Sequence, residues 1–182
     1  MLGKALRCSF FTKMNCTECE KIKNKKNIVY EDQLVIAMLD EKPSTRGHIL
    51  LMPKEHHIIV EQIPDELISH MFLIANKLSI VLFESLGAQG TNILIQNGIS
   101  AGQKSNHVMI NIIPRDENDE LSFHWNPIKM SETDLNSIQT SLKDEIDMPK
   151  ETKKDIKEIV KEPEIIEEDK DNYMLKQLER IP

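Results

Sequence analysis

The sequence predicts a compact α+β domain that ends near residue 146, and two patterns support this fold class. Between Pro64 and Leu86, apolar residues recur at spacings of three and four, which predicts one long amphipathic helix. Short apolar segments bounded by turn residues lie before and after it, as is typical of strands. Strands, a helix, strands and a second helix define an α+β domain over residues 16–146, preceded by a lead at residues 1–15.

Local residue types set the predicted limits of each element. Strands are predicted on both sides of a turn within residues 28–39, and at residues 46–54, 91–96 and 106–115. Gly87 ends the long helix, because a left-handed residue is favoured just after the last turn. Ser131 with Asp134 predicts the start of a second helix, which ends near Ile146. A glycine-containing loop, NGISAGQ, separates the last two strands.

Two segments follow the domain. Residues 147–170 carry mixed charges so densely that they can bury little, which indicates a charged linker. Residues 171–182 place apolar residues at helical spacing, which predicts a short amphipathic helix. Because such a helix is marginal alone in water, it either docks on its own domain or on a protein partner, or remains a solvated tail.

Composition narrows the class of function. The chain has 182 residues and a formal net charge of −7, which argues against general binding to nucleic-acid backbones. Neither a signal-peptide stretch nor a run of about 18 apolar residues is visible, so we expect a cytoplasmic protein without a membrane span. Three cysteines, two of them closely spaced, fit a reducing compartment better than a disulfide framework.

The closely spaced cysteines, Cys16 and Cys19, bring two thiolates within reach of one metal ion. Zinc would need two further donors, and the available side chains are His48, His56, His57, His70, His107 and His124. A Cys2His2 site that uses His107 and either His56 or His57 is chemically sensible. The alternative is a pair of unligated thiols with surface imidazoles.

A second candidate site lies in the strand at residues 106–115, where His107, Met109 and Asn111 alternate with aliphatic residues. Successive side chains of a strand point to opposite faces, so these three share one face. A half-buried strand with a polar outer face explains the pattern equally well.

Several short motifs, taken together and in order, resemble the histidine triad (HIT) superfamily over residues 16–146. They are Cys16-x-x-Cys19, Val29-Tyr30-Glu31-Asp32, Leu39-Asp40, Gly47-His48, Pro53-Lys54-Glu55-His56, Asn97-Gly98, Ala101-Gly102-Gln103 and His107 through Ile112-Ile113-Pro114-Arg115. The resemblance implies an antiparallel sheet with the long helix packed on it, and pairing with a second copy of the chain. It also implies Zn²⁺ bound by Cys16, Cys19, His56 and His107.

The resemblance further implies a nucleotide site with altered chemistry. In the family the strand reads His-x-His-x-His, and the middle histidine attacks the α-phosphorus of a nucleotide. Met109 and Asn111 occupy the second and third positions here, and a thioether has no basic nitrogen. The residues implied for nucleotide binding are Asp40 for the ribose and Asn97, Gln103 and Lys104 near the phosphates.

These features predict a zinc-containing protein that binds a purine nucleotide, or a related phosphate ligand, and has lost nucleotidyl-hydrolase and transferase activity. Its role would be sensing or interaction. The first alternative is an active enzyme that has recruited His48, His124 or Lys104. The second is a protein-interaction scaffold with a vestigial pocket.

Overall fold

The computed structural model describes residues 16–146, so the predicted lead at residues 1–15, the charged linker at 147–170 and the helix at 171–182 lie outside the described residues. The chain divides between Leu121 and Ser122 into two compact units. The first contains the sheet with its helices, and the described part of the second, residues 122–146, contains one further helix.

A five-stranded antiparallel sheet forms the centre of the first unit, which confirms the predicted fold class. Its spatial order is β1-β2-β3-β5-β4. The strands are β1 (Ile28–Glu31), β2 (Val35–Leu39), β3 (Ile49–Pro53), β4 (Gly90–Ile95) and β5 (Ile110–Arg115). Single-turn 3₁₀ helices lie at Val60–Gln62 and Ile99–Ala101.

Helices cover the two faces of this sheet unequally. The long helix α2 (Asp65–Leu86) packs on one face, where its inner side chains join the main core cluster with residues such as Leu51 and Ile110. A smaller cluster on the other face contains Met38 and Met52, and α1 (Thr17–Asn24) contributes Ile22 to it. Side chains of one strand alternate between the two clusters, as strand geometry requires.

The limits of α2 agree with the sequence prediction. Pro64 precedes the first helical residue, and its own nitrogen needs no intrahelical partner there. Gly87 has φ +68° and its N–H donates to the Phe83 carbonyl, so it closes the last turn in the left-handed conformation. By length and composition, α2 could also cross a membrane, but the core helix of a globular domain satisfies the same criterion.

The second unit contains α3 (Glu132–Glu145), which begins one residue after the predicted start. Ser131 caps it: its hydroxyl oxygen accepts from the Asp134 N–H at 3.1 Å. The apolar side chains of this helix, including Ile138, are exposed within the described part of the chain.

Two elements differ from the sequence prediction. The structure contains α1, which was not predicted because it is short and carries several charged residues. Strand β5 begins at Ile110, so His107 and Met109 precede the strand instead of belonging to it. Alternation nevertheless extends before β5, since Val108 joins the main core cluster and Met109 packs against the smaller one.

Candidate functional site

Four potential metal ligands from separate parts of the chain converge at one end of the sheet. Cys16 caps α1 and Cys19 lies in its first turn, His56 follows β3, and His107 precedes β5. All four residues are buried, and their ligand atoms lie within 4.8 Å of one another. The four residues that the sequence predicted as zinc ligands are therefore brought together.

The distances between these atoms fit one small tetrahedral ion. His56 Nδ1 lies 3.3 Å from Cys19 Sγ, while His107 Nδ1 lies 3.5 Å from Cys19 Sγ and 3.7 Å from Cys16 Sγ. A tetrahedral zinc with bonds of about 2.3 Å to sulfur and about 2.0 Å to nitrogen places a sulfur and a nitrogen ligand roughly 3.5 Å apart. The donor set, two sulfurs and two imidazole nitrogens, is one that zinc prefers.

A hydrogen bond orients the ring of His107 toward the cysteines. Its Nε2 lies 2.9 Å from the Pro53 carbonyl oxygen, so Nε2–H donates and the Nδ1 lone pair faces the sulfur atoms. Burial lowers the pKa of His107 to about 4, because the charged ring would lose its hydration. The imidazole is thus held neutral near pH 7, which is the form that binds a metal.

The positions that the resemblance assigns to catalysis carry different chemistry. Met109 packs its side chain against the cluster that contains Met38 and Met52. Asn111 is 8% exposed, and its Nδ2 donates to the Leu94 carbonyl at 3.3 Å. The side chain at each position therefore makes local packing or hydrogen-bonding contacts.

Hydrogen bonds connect Ser44 and Asn111 to the ring of His48, and Asp40 lies beside the same ring. The backbone N–H of Ser44 donates to His48 Nδ1 at 3.3 Å, which makes Nδ1 the acceptor and assigns the proton to Nε2. Nε2–H then donates to Asn111 Oδ1 at 3.2 Å. Asp40 Oδ2 lies 3.5 Å from Nδ1. Burial lowers the pKa of His48, and the Asp40 carboxylate opposes part of that decrease.

The other predicted nucleotide-binding residues belong to a separate loop, and two of them bind their own chain. Gln103 Oε1 accepts from the Gly98 N–H, and Nε2 donates to the carbonyls of Ile58 and Ser105. Asn97 accepts from the Val60 N–H and donates to Glu61. Lys104 is exposed. The contacts therefore place Asp40 in one group and the loop residues in another.

A small pocket of about 70 Å³ opens between α1 and the strands β2 and β3. Its apolar part comes from Met38, Leu39 and Leu50, and its polar residues are Lys21, Asn24, Lys26, Asn27 and Glu41. The pocket borders the Leu39-Asp40 segment that the sequence analysis associated with base and ribose recognition. Its α1 residues were missed, because α1 itself was not predicted.

Sequence reasoning also missed Glu18, a buried carboxylate between the two cysteines. Burial acts to raise the pKa of Glu18, but hydrogen bonds from Ser105 and Thr17 outweigh it and the net shift is downward. The carboxylate is thus held charged beside the cysteines. Ser105 is 87 residues away in sequence, so no local pattern could have indicated this contact.

Comparison with known proteins identifies the family. A model of the HIT domain matches residues 21–118. An uncharacterized HIT-like protein from Methanocaldococcus jannaschii is 35% identical over 130 residues, which cover 70% of this chain and 98% of that protein. A HIT family crystal structure from Bacillus subtilis has a TM-score of 0.68 at 31% identity, with 74% of this chain and 99% of that chain covered.

A zinc-bound histidine triad family protein from Mycobacterium smegmatis also matches, with a TM-score of 0.57 at 32% identity. That match covers 64% of this chain and 86% of the other. The motifs, the sheet order and these matches agree, and this chain belongs to the HIT family.

The burial of His48 leads to a prediction about its pKa and about the pH dependence of stability. We expect His48 to titrate below the ordinary histidine value of 6.5, and Asp40→Asn to lower its pKa further, because the variant removes a charge that favours the imidazolium. NMR of the ring protons against pH measures both. Since the folded pKa is depressed, this group's contribution to the free energy of unfolding is present above pH 6.5 and is lost as the pH falls through the folded pKa. A rise in the His48 pKa in Asp40→Asn would contradict the assignment.

Proposed function

We propose that this protein binds a purine nucleotide, or a related phosphate ligand, in a zinc-containing HIT fold that has lost nucleotidyl-hydrolase and transferase activity. Its role is then sensing or interaction. The observation that supports this most directly is the contrast between the side-chain contacts of His107 and those of Met109, two residues further along. His107 remains beside Cys16 and Cys19, whereas Met109 packs its thioether into an apolar cluster.

The zinc part of the proposal is supported by the donor set and by the interatomic distances. Four protein ligands complete a tetrahedral zinc and leave no open position for a substrate, so zinc would serve structure here. The ligands come from α1, the segment after β3 and the segment before β5. The zinc-bound relative from Mycobacterium smegmatis adds support from a protein of the same family.

The loss of catalysis is supported by the hydrogen bonds of His48, the histidine nearest to the former catalytic residues in the contact network. Neutral His48 accepts at Nδ1 from Ser44 and donates at Nε2 to Asn111. Neither nitrogen therefore offers a lone pair for attack on phosphorus. A thioether at position 109 cannot form the covalent nucleotidyl intermediate that the family uses.

The second candidate function is nucleotide hydrolysis that uses His48 as a general base. The Asp40 carboxylate near Nδ1 supports it, because a carboxylate commonly orients a catalytic imidazole. This candidate requires the proton of His48 to move from Nε2 to Nδ1, where Asp40 can accept it, so the hydrogen bonds with Asn111 and Ser44 would both break when substrate binds. The other residues considered, His124 and Lys104, are exposed, and within residues 16–146 neither side chain makes a comparable orienting hydrogen bond.

The ligand-binding part of the proposal is supported by the pocket beside β2. Its apolar floor suits the face of a base, and its lysines and amides suit polar edges and a nearby negative charge. Asp40 follows β2 at the border of this pocket, where a carboxylate can accept from ribose hydroxyls.

The chain also carries a surface suited to pairing with a second copy. The outer face of α2 exposes Phe72, Leu73, Ile80 and Val81, and β4 lies at an edge of the sheet with Ile93 exposed. Adjacent apolar side chains and an open strand edge favour association. We include a homodimer through α2 and β4 in the proposal.

The catalytic part is tested by release of AMP from an adenosine phosphoramidate. We expect the natural protein to be slower than Met109→His/Asn111→His by about three orders of magnitude or more, because only the variant has the nucleophile. Met109→Leu is the matched control, since it changes the same position without adding a nitrogen. Calorimetry with AMP and GMP measures ligand binding separately. Rapid release by the natural protein would instead favour the His48 enzyme.

Zinc content tests the metal part. Purified natural protein is expected to hold about one zinc per chain by elemental analysis, and Cys16→Ser/Cys19→Ser almost none, because two of four ligands are lost. His124→Gln removes an exposed histidine outside the cluster and should retain the metal. Equal zinc in all three proteins would show that the cluster does not hold it.

Light scattering tests the homodimer. Leu73→Asp/Ile80→Asp buries charge in the proposed interface and should convert dimers to monomers, since unpaired buried charges are costly. Ile138→Asp makes the same kind of change on α3 and should leave the mass unchanged. A monomeric natural protein, or dissociation by Ile138→Asp alone, would contradict the proposed interface.

A further inference from the structure

Glu18 is an unusual residue for its position, because it is 7% exposed and lies between the two cysteines of the metal cluster. A buried carboxylate is costly unless hydrogen bonds or opposite charges compensate it. The side chain of Glu20, two residues further along α1, is exposed and faces no such cost. The cluster thus has a buried negative charge beside it that the metal ligands themselves do not require.

Three side chains compensate the Glu18 carboxylate. Ser105 Oγ donates to Oε2 at 2.5 Å, and Thr17 Oγ1 donates to the same oxygen at 2.8 Å. Lys21 Nζ lies 3.6 Å from Oε1 and also lines the pocket beside β2. Glu18 therefore contacts the loop before β5 and a residue of the pocket at the same time.

The Ser105 hydroxyl connects Glu18 to the backbone of a metal ligand. The N–H of His107 donates to Ser105 Oγ at 3.2 Å, so Glu18, Ser105 and His107 form a continuous chain. On the other side, Gln103 holds the loop together by bonds to Gly98 and to the Ser105 carbonyl. The geometry of the loop at residues 98–107 is thus tied to α1 through one carboxylate.

The negative charge of Glu18 makes its contact with Ser105 sensitive to a bound metal ion. Glu18 Oε2 lies 3.9 Å from Cys16 Sγ, where the carboxylate accepts a weak hydrogen bond from the protonated thiol. Metal binding removes the thiol protons, which leaves two thiolates beside this carboxylate. A divalent cation neutralises the two thiolates and is attracted by the third negative charge. The metal would then stabilise the arrangement in which Glu18 holds Ser105.

We propose that Glu18 is a positioning residue that strengthens metal binding and, through Ser105, makes the conformation of loop 98–107 depend on the metal. The inference rests on the proposed metal-binding function and adds a regulation to it. Because Asn97 precedes this loop and Lys104 lies within it, metal occupancy would control the loop that the sequence analysis associated with phosphate. Loss of the metal would release Ser105 and loosen the loop.

The first experiment measures the Zn²⁺ affinity of the full chain by competition with a chromophoric chelator. Glu18→Gln and Ser105→Ala should each bind Zn²⁺ about 10- to 100-fold more weakly, which is the usual effect of removing a partner of the metal ligands. Glu20→Gln removes an exposed carboxylate from the same helix and should match the natural protein. Ser105→Thr keeps the hydroxyl and should restore most of the affinity.

The second experiment measures the conformational stability of loop 98–107 directly. Hydrogen exchange at the amides of residues 98–107 should slow when Zn²⁺ is added to the natural protein. In Ser105→Ala saturated with Zn²⁺, exchange should remain fast, although the metal is bound. The visible spectrum of the Co²⁺-loaded proteins shows whether the tetrahedral site has formed in each variant.

The outcomes separate this inference from the metal proposal. If the natural protein binds Zn²⁺ and both Glu18→Gln and Ser105→Ala bind it equally well, the role of Glu18 is wrong and the metal site stands. If Glu20→Gln weakens Zn²⁺ binding as much as Glu18→Gln does, the overall negative charge of α1 explains the effect and the specific contact of Glu18 does not. If the natural protein binds no Zn²⁺, both proposals fail.

Discussion

The pairing of β3 with β5 is the constraint on which the candidate site depends. Leu50 lies opposite Asn111 and Leu51 opposite Ile110, and this register carries the segment before β5 alongside the end of β3. His107 can therefore donate to the Pro53 carbonyl and meet the segment that bears His56. A slip of one residue would exchange the two faces of β5, moving its core side chains away from α2. Core packing and ligand placement are thus set by the same register.

The same strand segment supports two different local chemistries. Near its start, a ring nitrogen of His107 is kept neutral and directed at the cysteines by burial and by one backbone hydrogen bond. Further along, Asn111 forms a hydrogen bond with His48, and Met109 packs against apolar side chains. A buried polar group is tolerated when its partners are supplied locally. The residues at the positions that the resemblance assigns to catalysis can therefore differ without disturbing the neighbouring Cys16, Cys19, His56 and His107 cluster.

Sequence patterns predicted the parts of this molecule that depend on local periodicity or on ordered motifs. The α2 limits, the Gly87 cap and the convergence of Cys16, Cys19, His56 and His107 belong to that class. Helix α1 was missed, because eight residues rich in charge show too little apolar periodicity for a prediction. The contact from Ser105 to Glu18 joins residues far apart in sequence, and only tertiary packing determines it. The roles assigned to Asn97, Gln103, Lys104 and Asp40 in ligand binding stay predictions.

The spacing along the chain of the candidate metal ligands has a consequence for the unfolded protein. Cys19 and His56 are 37 residues apart, and Cys19 and His107 are 88 apart. An ion held by all of them would close two nested loops, as a covalent cross-link does, and would restrict the conformational entropy of the unfolded chain while it stayed bound. Because closure entropy grows only with the logarithm of loop length, the longer loop adds little more than the shorter one. The metal would thus act as a cross-link between the beginning of the described chain and its centre.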